Sequence, residues 1–543
     1  MPRDDHPGAG EGLAPPAARP AGTPAMTNSS SGEGFRNLFG HACPNELYQG
    51  AGSEQATSRL MLRLAEYMKN QRRDRSGNAT FPAGYTYLAQ FAAHDLVHNP
   101  TRIPNLADHM RPRHDLRDQR LMLETLYGGG PGACPAIFRR ESNSGQVRRS
   151  ALRLLYVPDD KNCQRPSMKP EGHACPGAFR DLPRLIVDDG PGEEERTTYG
   201  DVLLADPRND DHLIIAQLTV VFTLLHNLFD DLQRRNHPDR SARQRYLRAS
   251  KATIFLYRRI LFEDLLPKLL HPMISTVFEQ CGFRLERDPD PRMTVEFAHA
   301  VFRAAHSMVR QSYDLNERLN AGIRRIVDQR SSTAPTRLPH RDKWLIAWSR
   351  FFDIDGRAPA QKARNISPTI TDALYDNVLF RDDDQPTGGL LYADLRRGAF
   401  SGVRSVDSLI EKLIAANLPG AESLQRAHWE PALHRWLSNG MTSDDTSALT
   451  RDPPLILFVM QEATVAPHRS AFGLLGSAVV AETFYAARDK TRSFIEDDDE
   501  TQRLVMEVFD TGPDALGIPN TMPSLITALA KKLGYTELTM PFI

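Results

Sequence analysis

The sequence predicts a mostly α-helical fold: one large helical domain with few short strands and long loops. Three observations carry this. Apolar residues recur at helical spacing in stretch after stretch. Strict period-two alternation, the mark of half-buried strands, is scarce. The most apolar stretch, Asp206 to Leu232, reads as a single long helix with a charged entrance.

The elements follow in chain order. Residues 1–34 are rich in Pro, Gly, Ala and Ser and nearly free of large apolar side chains. They cannot bury enough surface to offset ordering and are expected to be a disordered tail, leaving residues 35–543 as the globular domain. Residues 57–71 form an amphipathic pattern with a basic wet side. Tyr85 to Leu96 is the next helix, ended by Asn99-Pro100 because the residue before proline avoids helical geometry. Gln90 and His94, four apart, share one face of it, and Ala92 and Ala93 keep it slim beside His94. Residues 112–181 are polar and broken by Gly128-Gly129-Gly130-Pro131; they predict loop and short helices, with RLMLETLY (120–127) ordered. The acidic residues 191–196 predict a surface turn.

In the central stretch, Asn209 or Asp210 is the expected cap. Behind it Leu213, Ile214, Leu218, Val221, Phe222, Leu225, Leu228, Phe229 and Leu232 line a broad apolar stripe. Such a helix lies deep in a core and carries Arg208 and Asp211 to its edge, where charges are paired or meet a ligand. Residues 243–270 predict a second long helix. Residues 290–316 predict another, capped by Thr294, with His299, Phe302, Arg303, His306, Val309, Arg310 and Tyr313 on one face. An apolar segment follows at 344–354 and a short helix at 391–402. Core helices are expected at 453–465 and 471–491, with a last short helix at 522–533.

Bulk composition excludes several classes. The 543 residues are 40% hydrophobic, enough for a sizeable core, and carry a formal net charge of −1 from 67 basic and 68 acidic side chains. That balance favours neither nucleic acid nor an anionic membrane as partner. Five cysteines, odd in number and without CxxC spacing, do not make a disulfide framework; a Cys163–Cys175 bridge stays open. Unbroken apolar runs are too short for a transmembrane span. The N-terminus lacks a secretory pattern, which favours a cytoplasmic protein.

Two histidines, His94 and His306, lie on separate slim helices with arginines near both. That pattern suits a planar anionic cofactor held between them, and haem fits: one imidazole ligates iron, arginines pair with propionates, and the opposite imidazole works on substrate. Blander alternatives stand beside each residue. Both histidines can satisfy buried carbonyls. Arg208 can pair with Asp206 or Asp211, and Asp211 can simply complement the helix dipole. Gln90 can be a surface amide, Asp394 a helix cap, and Asp95 half of a salt bridge.

Several segments together resemble the animal haem peroxidase superfamily, its bacterial branch above all. YTYLAQFAAHD resembles the distal-histidine helix, ADPRNDDHLIIAQLTVVFTLLHN the arginine-bearing helix, and FRAAHSMVRQSYDLN the proximal-histidine helix. LYGGGP and ADLRRGAFSG match further segments, in the family's order, across roughly residues 35–535. The resemblance implies a haem b enzyme that uses hydrogen peroxide and a small-molecule electron donor. His94 would be the distal base, Arg208 the stabiliser of charge developing on the peroxide, and Gln90 a hydrogen-bonding partner of a distal water or halide. His306 would be the axial iron ligand. Asp394 stands where the family has an asparagine that orients the proximal imidazole, and a carboxylate there would make that imidazole more anionic. Arg303 and Arg397 would lie near the propionates.

The sequence also departs from the family. Ala93 replaces the ester-forming aspartate, Asp211 is one carbon shorter than the ester-forming glutamate, and His212 stands where some relatives have a methionine. Haem is therefore expected to be held mainly by non-covalent contacts. The resemblance implies a calcium ion at Asp95, but the loop that would complete its shell has Met122 at an expected carboxylate position. Two other functions compete: a haem-dependent fatty-acid dioxygenase, whose tyrosine position is Arg303 here, and a haem-free interaction module.

Overall fold

A computed structural model of the chain describes residues 34–71, 77–98, 117, 121–143, 146–154, 181–187, 198–287, 292–328, 342–375, 389–465, 472–511 and 515–533. The fold is mostly helical, as the sequence predicts, and the strands among the described residues form only two-stranded sheets. The expected tail, the Asn99-Pro100 stop, the 191–196 turn, Cys163 and Cys175 lie outside the described residues. Cys43, Cys134 and Cys281 are free thiols.

The central helix runs Leu213–Asn236, and its entrance is not one cap but two in series. Asp206 caps a 3-10 turn, Pro207–Asp210, by accepting the Arg208 N–H. His212 then adopts an extended backbone and caps the helix proper by accepting the Ile215 N–H on its ring. The expected caps Asn209 and Asp210 sit inside the turn instead, because Pro207 starts it two residues earlier. Leu218, Phe222, Leu225 and Phe229 are fully buried. At about 1.5–3 kcal/mol each, they contribute on the order of 10 kcal/mol. That exceeds the several kcal/mol of burying one charge at the entrance. The helix is long and apolar enough to cross a bilayer, yet 94% of its most apolar window is packed inside the fold.

The helix Gly84–Leu96 packs on the central helix, with Phe91 stacked on Phe222 at 4.9 Å. Gly84 is required at its start: its N–H bonds the Phe351 carbonyl, and a Cβ there would come within 2.5 Å of that oxygen. Tyr85 ties the same end to Asp264, whose carboxylate also accepts the Met522 N–H of the Met522–Lys532 helix.

The expected 290–316 helix is much shorter. Met293–Thr294 pairs in parallel with Phe35–Arg36, so Thr294 is a strand residue and not a cap. A wide π turn, Phe297–Val301, passes into a 3-10 segment, Phe302–Met308. The helix stops there because the Arg310 N–H is diverted to the Tyr313 hydroxyl at 2.8 Å. Tyr313 belongs to the hairpin strand Ser312–Asn316 and not to the His306 face. The 243–270 helix is Ala242–Ile260, continued through a π segment, Leu261–Leu265, to Leu269. The 344–354 segment is two 3-10 turns joined by buried chain.

Candidate haem-binding and catalytic site

The Gly84–Leu96 helix packs directly against both the Pro207–Asp210 turn and the Phe302–Met308 segment. This brings the helix that carries Gln90 and His94 against the elements that carry Arg208 and His306, three segments far apart in sequence.

His94 is 8% exposed, and its Nδ1 lies 2.8 Å from Asn209 Oδ1. The proton assignment follows from Asn209's other contacts. Its amide nitrogen faces the Thr125 carbonyl and hydroxyl at 3.3 and 2.9 Å, and a carbonyl can only accept. The Asn209 oxygen therefore accepts from His94, Nδ1 carries the proton, and Nε2 keeps a free lone pair. Burial, and then the nearby Arg208 charge, hold the imidazole at about 3, far below its usual 6.5. It is a neutral ring with one accepting nitrogen.

Arg208 bonds the His94 carbonyl at 3.0 Å and both oxygens of Asp206. Asp206 is fully buried and also engages Arg117, which bonds the same His94 carbonyl at 3.0 Å. Burial alone would raise the Asp206 carboxyl; hydrogen bonds and charge from Arg208 outweigh it and leave it well below the usual carboxylate range. The simple pairing of Arg208 with Asp206 is thus real. It also orients the guanidinium, whose Nη1 bonds no described residue and whose side chain is 29% exposed.

Gln90 is half-buried, and its Oε1 accepts from His212 Nε2 at 2.9 Å. The tautomer is set at the other nitrogen, where Nδ1 accepts the Ile215 N–H. This leaves the Gln90 NH₂ as the outward donor. Asp211 is half-buried at the junction between the two caps.

On the opposite side His306 donates from Nδ1 to Asp394 Oδ2 at 2.6 Å. Its ring is 37% exposed, and Nε2 bonds no described residue. Asp394 comes from the helix Gly389–Phe400, whose first residue has φ +59 and sits so close to the Leu374 carbonyl that a Cβ would lie 2.4 Å away. The second carboxylate oxygen accepts from Arg303 at 2.7 Å, and Arg303 Nε bonds the Ala298 carbonyl. Arg303 is therefore engaged with the carboxylate that holds His306. Burial opposes ionisation of Asp394, but the His306 and Arg303 charges prevail and lower it. The guanidinium of Arg397, half-buried near Arg303, makes no hydrogen bond to any described residue, and burial and then Arg303 bring it down to about 9. A buried guanidinium without a hydrogen-bond partner among the described residues, beside a second one, suits an anion such as a carboxylate.

Asp95 turns instead toward the Leu121–Thr125 loop. It is 1% exposed, and its two oxygens accept the N–H groups of Leu123 and Thr125 at 3.0 and 3.3 Å. Its carboxylate organises a loop. The expectation of calcium there meets residues that do not fit it: the oxygens are committed to backbone N–H groups, and Met122 supplies only sulfur. Sequence reading missed Asn209, Asp206, Arg117, Thr125 and His212 as site residues. Asn209, Asp206 and His212 sit within the quoted central stretch, but a helix-entrance pattern explains them equally well.

The family model of the animal haem peroxidases matches residues 179–405, a span that holds Arg208, Asp211, Arg303, His306, Asp394 and Arg397 but not Gln90 or His94. No curated protein sequence matches the chain. Among solved structures, the chain is similar to peroxidase A from Dictyostelium discoideum, with a TM-score of 0.55 at 14% identity, over 88% of this chain and 90% of that one. It is also similar to the fatty acid alpha-dioxygenase of Oryza sativa, with a TM-score of 0.48 at 13% identity, over 85% and 77%. At such identities the first likeness speaks for the fold.

Proposed function

We propose that this chain, whose residues 179–405 match the family model of the animal haem peroxidases, is a haem-dependent peroxidase. It would reduce hydrogen peroxide and oxidise small phenolic or other aromatic donors, or halides. The observation that carries the reading is the matched pair of Nδ1 contacts. Asn209 occupies one ring nitrogen of His94 and Asp394 one of His306, and neither Nε2 bonds a described residue; the two histidines lie on elements that pack against each other.

His306 would hold the haem iron through Nε2, with Arg397 as the anion partner. Bound there, haem b would supply the redox chemistry of iron on peroxide. His94 Nε2 takes the proton from the peroxide oxygen that stays behind and hands it to the other, departing oxygen, a role worth roughly 10²–10⁴ in rate. Arg208, fixed by Asp206, directs its free Nη1 toward the negative charge that develops as the O–O bond lengthens. The Gln90 NH₂ offers a donor to the same distal space. No ester link to the ring is invoked, since Ala93 offers no carboxylate and Asp211 is short by one carbon.

The dioxygenase alternative needs a tyrosine three residues before the proximal histidine. Arg303 stands there, committed to Asp394, and the Tyr313 hydroxyl is engaged by the Arg310 N–H. The peroxidase reading is the better supported. Its test is the optical spectrum of the haem-reconstituted protein: a Soret band is expected, and peroxide should shift it. Absence of any Soret band leaves the haem-free interaction module as the reading.

A further inference from the structure

We propose that the Arg258 guanidinium is the resident cation of the Leu121–Thr125 loop and positions His94 through that loop, which therefore needs no divalent metal. This rests on the reading of His94 as the distal base.

The loop is a strained one. Leu121 and Leu123 both have left-handed φ values, +53 and +55, which side chains other than glycine adopt only when their surroundings demand it. Two groups demand it here. Asp95 accepts the N–H of Leu123 and of Thr125. Arg258, 1% exposed, donates from Nε to the Leu121 carbonyl at 3.0 Å and approaches the Met122 sulfur with Nη2 at 3.3 Å. The guanidinium is itself braced from behind: Nη1 meets both oxygens of Glu496 at 3.1 and 3.0 Å, and Nη2 donates to the Thr491 hydroxyl at 2.5 Å. A planar fork of five donors suits this combination of carbonyl, sulfur, hydroxyl and carboxylate; a lysine could not span it.

The far end of the loop reaches the distal histidine. The Thr125 carbonyl and hydroxyl accept from the Asn209 amide, and the Asn209 oxygen accepts from His94 Nδ1. From Arg258 to the imidazole, every link is a hydrogen bond or a few residues of tightly wound chain. Asp95, next to His94 on its helix, closes the circuit.

A divalent ion has no place in this arrangement. Both Asp95 oxygens face backbone N–H groups, the Leu121 carbonyl is taken by Arg258, and the Glu124 carboxylate faces Arg117 at 3.9 Å. An ion beside Asp95 would also meet the positive charges of Arg117 and Arg258, both of which act on that carboxylate. Among the described residues, no cluster of three or more histidine, cysteine or acidic side chains could hold a metal.

The test uses the full haem-loaded chain, purified from calcium-containing medium. Metal analysis should find well under one calcium per chain, and dialysis against EGTA should leave the thermal midpoint and the rate of cyanide binding unchanged. Cyanide reads the distal base directly, since HCN must give up its proton on binding. Arg258→Ala should keep the Soret band but slow cyanide binding by about tenfold or more; guanidinium ion should restore the rate and calcium should not. Arg258→Lys should recover only a small part. Stoichiometric calcium whose removal lowers the midpoint, rescue of Arg258→Ala by calcium, or a wild-type cyanide rate in Arg258→Ala would each overturn the inference. If Arg258→Ala does not fold, the metal content and chelation response of the unaltered chain decide. Failure of the peroxidase reading looks different: His94→Ala would then bind cyanide as fast as the unaltered chain.

Discussion

His94 and His306 are held by the same atom and treated in opposite ways. Each donates from Nδ1, His94 to an amide oxygen at 2.8 Å and His306 to a carboxylate at 2.6 Å. A neutral amide fixes orientation and tautomer but adds no charge, so the His94 ring stays neutral in its dry place and burial keeps its protonation low. A carboxylate draws the proton toward itself and pushes electron density onto the far nitrogen, which suits a metal ligand. Arg303 tempers that push by sharing the Asp394 carboxylate. On the distal side arginines also surround a buried carboxylate, Asp206, but there the assembly bonds the main chain of His94 and leaves its ring alone. In the proposed enzyme, one side sets a base and the other sets a ligand, and the identity of the second-nitrogen partner is the difference between them.

Removing each imidazole is the most severe way to probe this comparison. His306→Ala should lose the Soret band or shift it to that of haem without an axial imidazole. His94→Ala should retain haem and bind it with an unaltered ligand field, while its reaction with peroxide slows by roughly 10²–10⁴. Stopped-flow spectra of the two variants separate these outcomes; similar mild losses in both would sink the assignment of sides. Exchanging the partners is subtler. Asp394→Asn should raise the iron reduction potential and cost about tenfold in peroxide reactivity, within the range of outer-shell changes at metal sites. Asn209→Asp should bring a carboxylate to His94, draw its protonation upward and make the distal base fail in mild acid. An Asp394→Asn potential equal to that of the unaltered protein would mean Arg303 already cancels the carboxylate.

Much of this was legible in the amino-acid order, and the part that was not has a physical cause. The helices carrying His94 and Asp394 appear within two residues of where the sequence puts them. The His306 helix did not, because one hydroxyl, that of Tyr313, captures the Arg310 N–H and ends it. No residue pattern announces that contact. Asn209 was visible only as a cap candidate, since a helix entrance and a histidine clamp both call for a short polar side chain. Arg117 lies in a polar stretch without periodicity, and only the fold brings it to Asp206.

The pH response offers the finest test of the distal amide. Burial and the Arg208 charge hold His94 at about 3 in the folded chain. The neutral ring, the form that accepts a proton, is then already present in mild acid. Peroxide reaction or cyanide binding should therefore stay flat from about pH 8 down to about pH 4, without the break near 6.5 that an ordinary histidine would impose. The same depression costs stability in acid. A free imidazole in the unfolded chain takes up a proton below about 6.5 while the folded one does not, so stability from this site is whole above 6.5 and falls as pH drops, by about 1.4 kcal/mol per unit. His94→Gln removes that proton uptake, so its stability relative to the unaltered chain should improve steadily between about pH 6 and pH 4. A rate break at 6.5 together with a constant stability difference would show that the ring is solvated and that Asn209 does no more than pack against it.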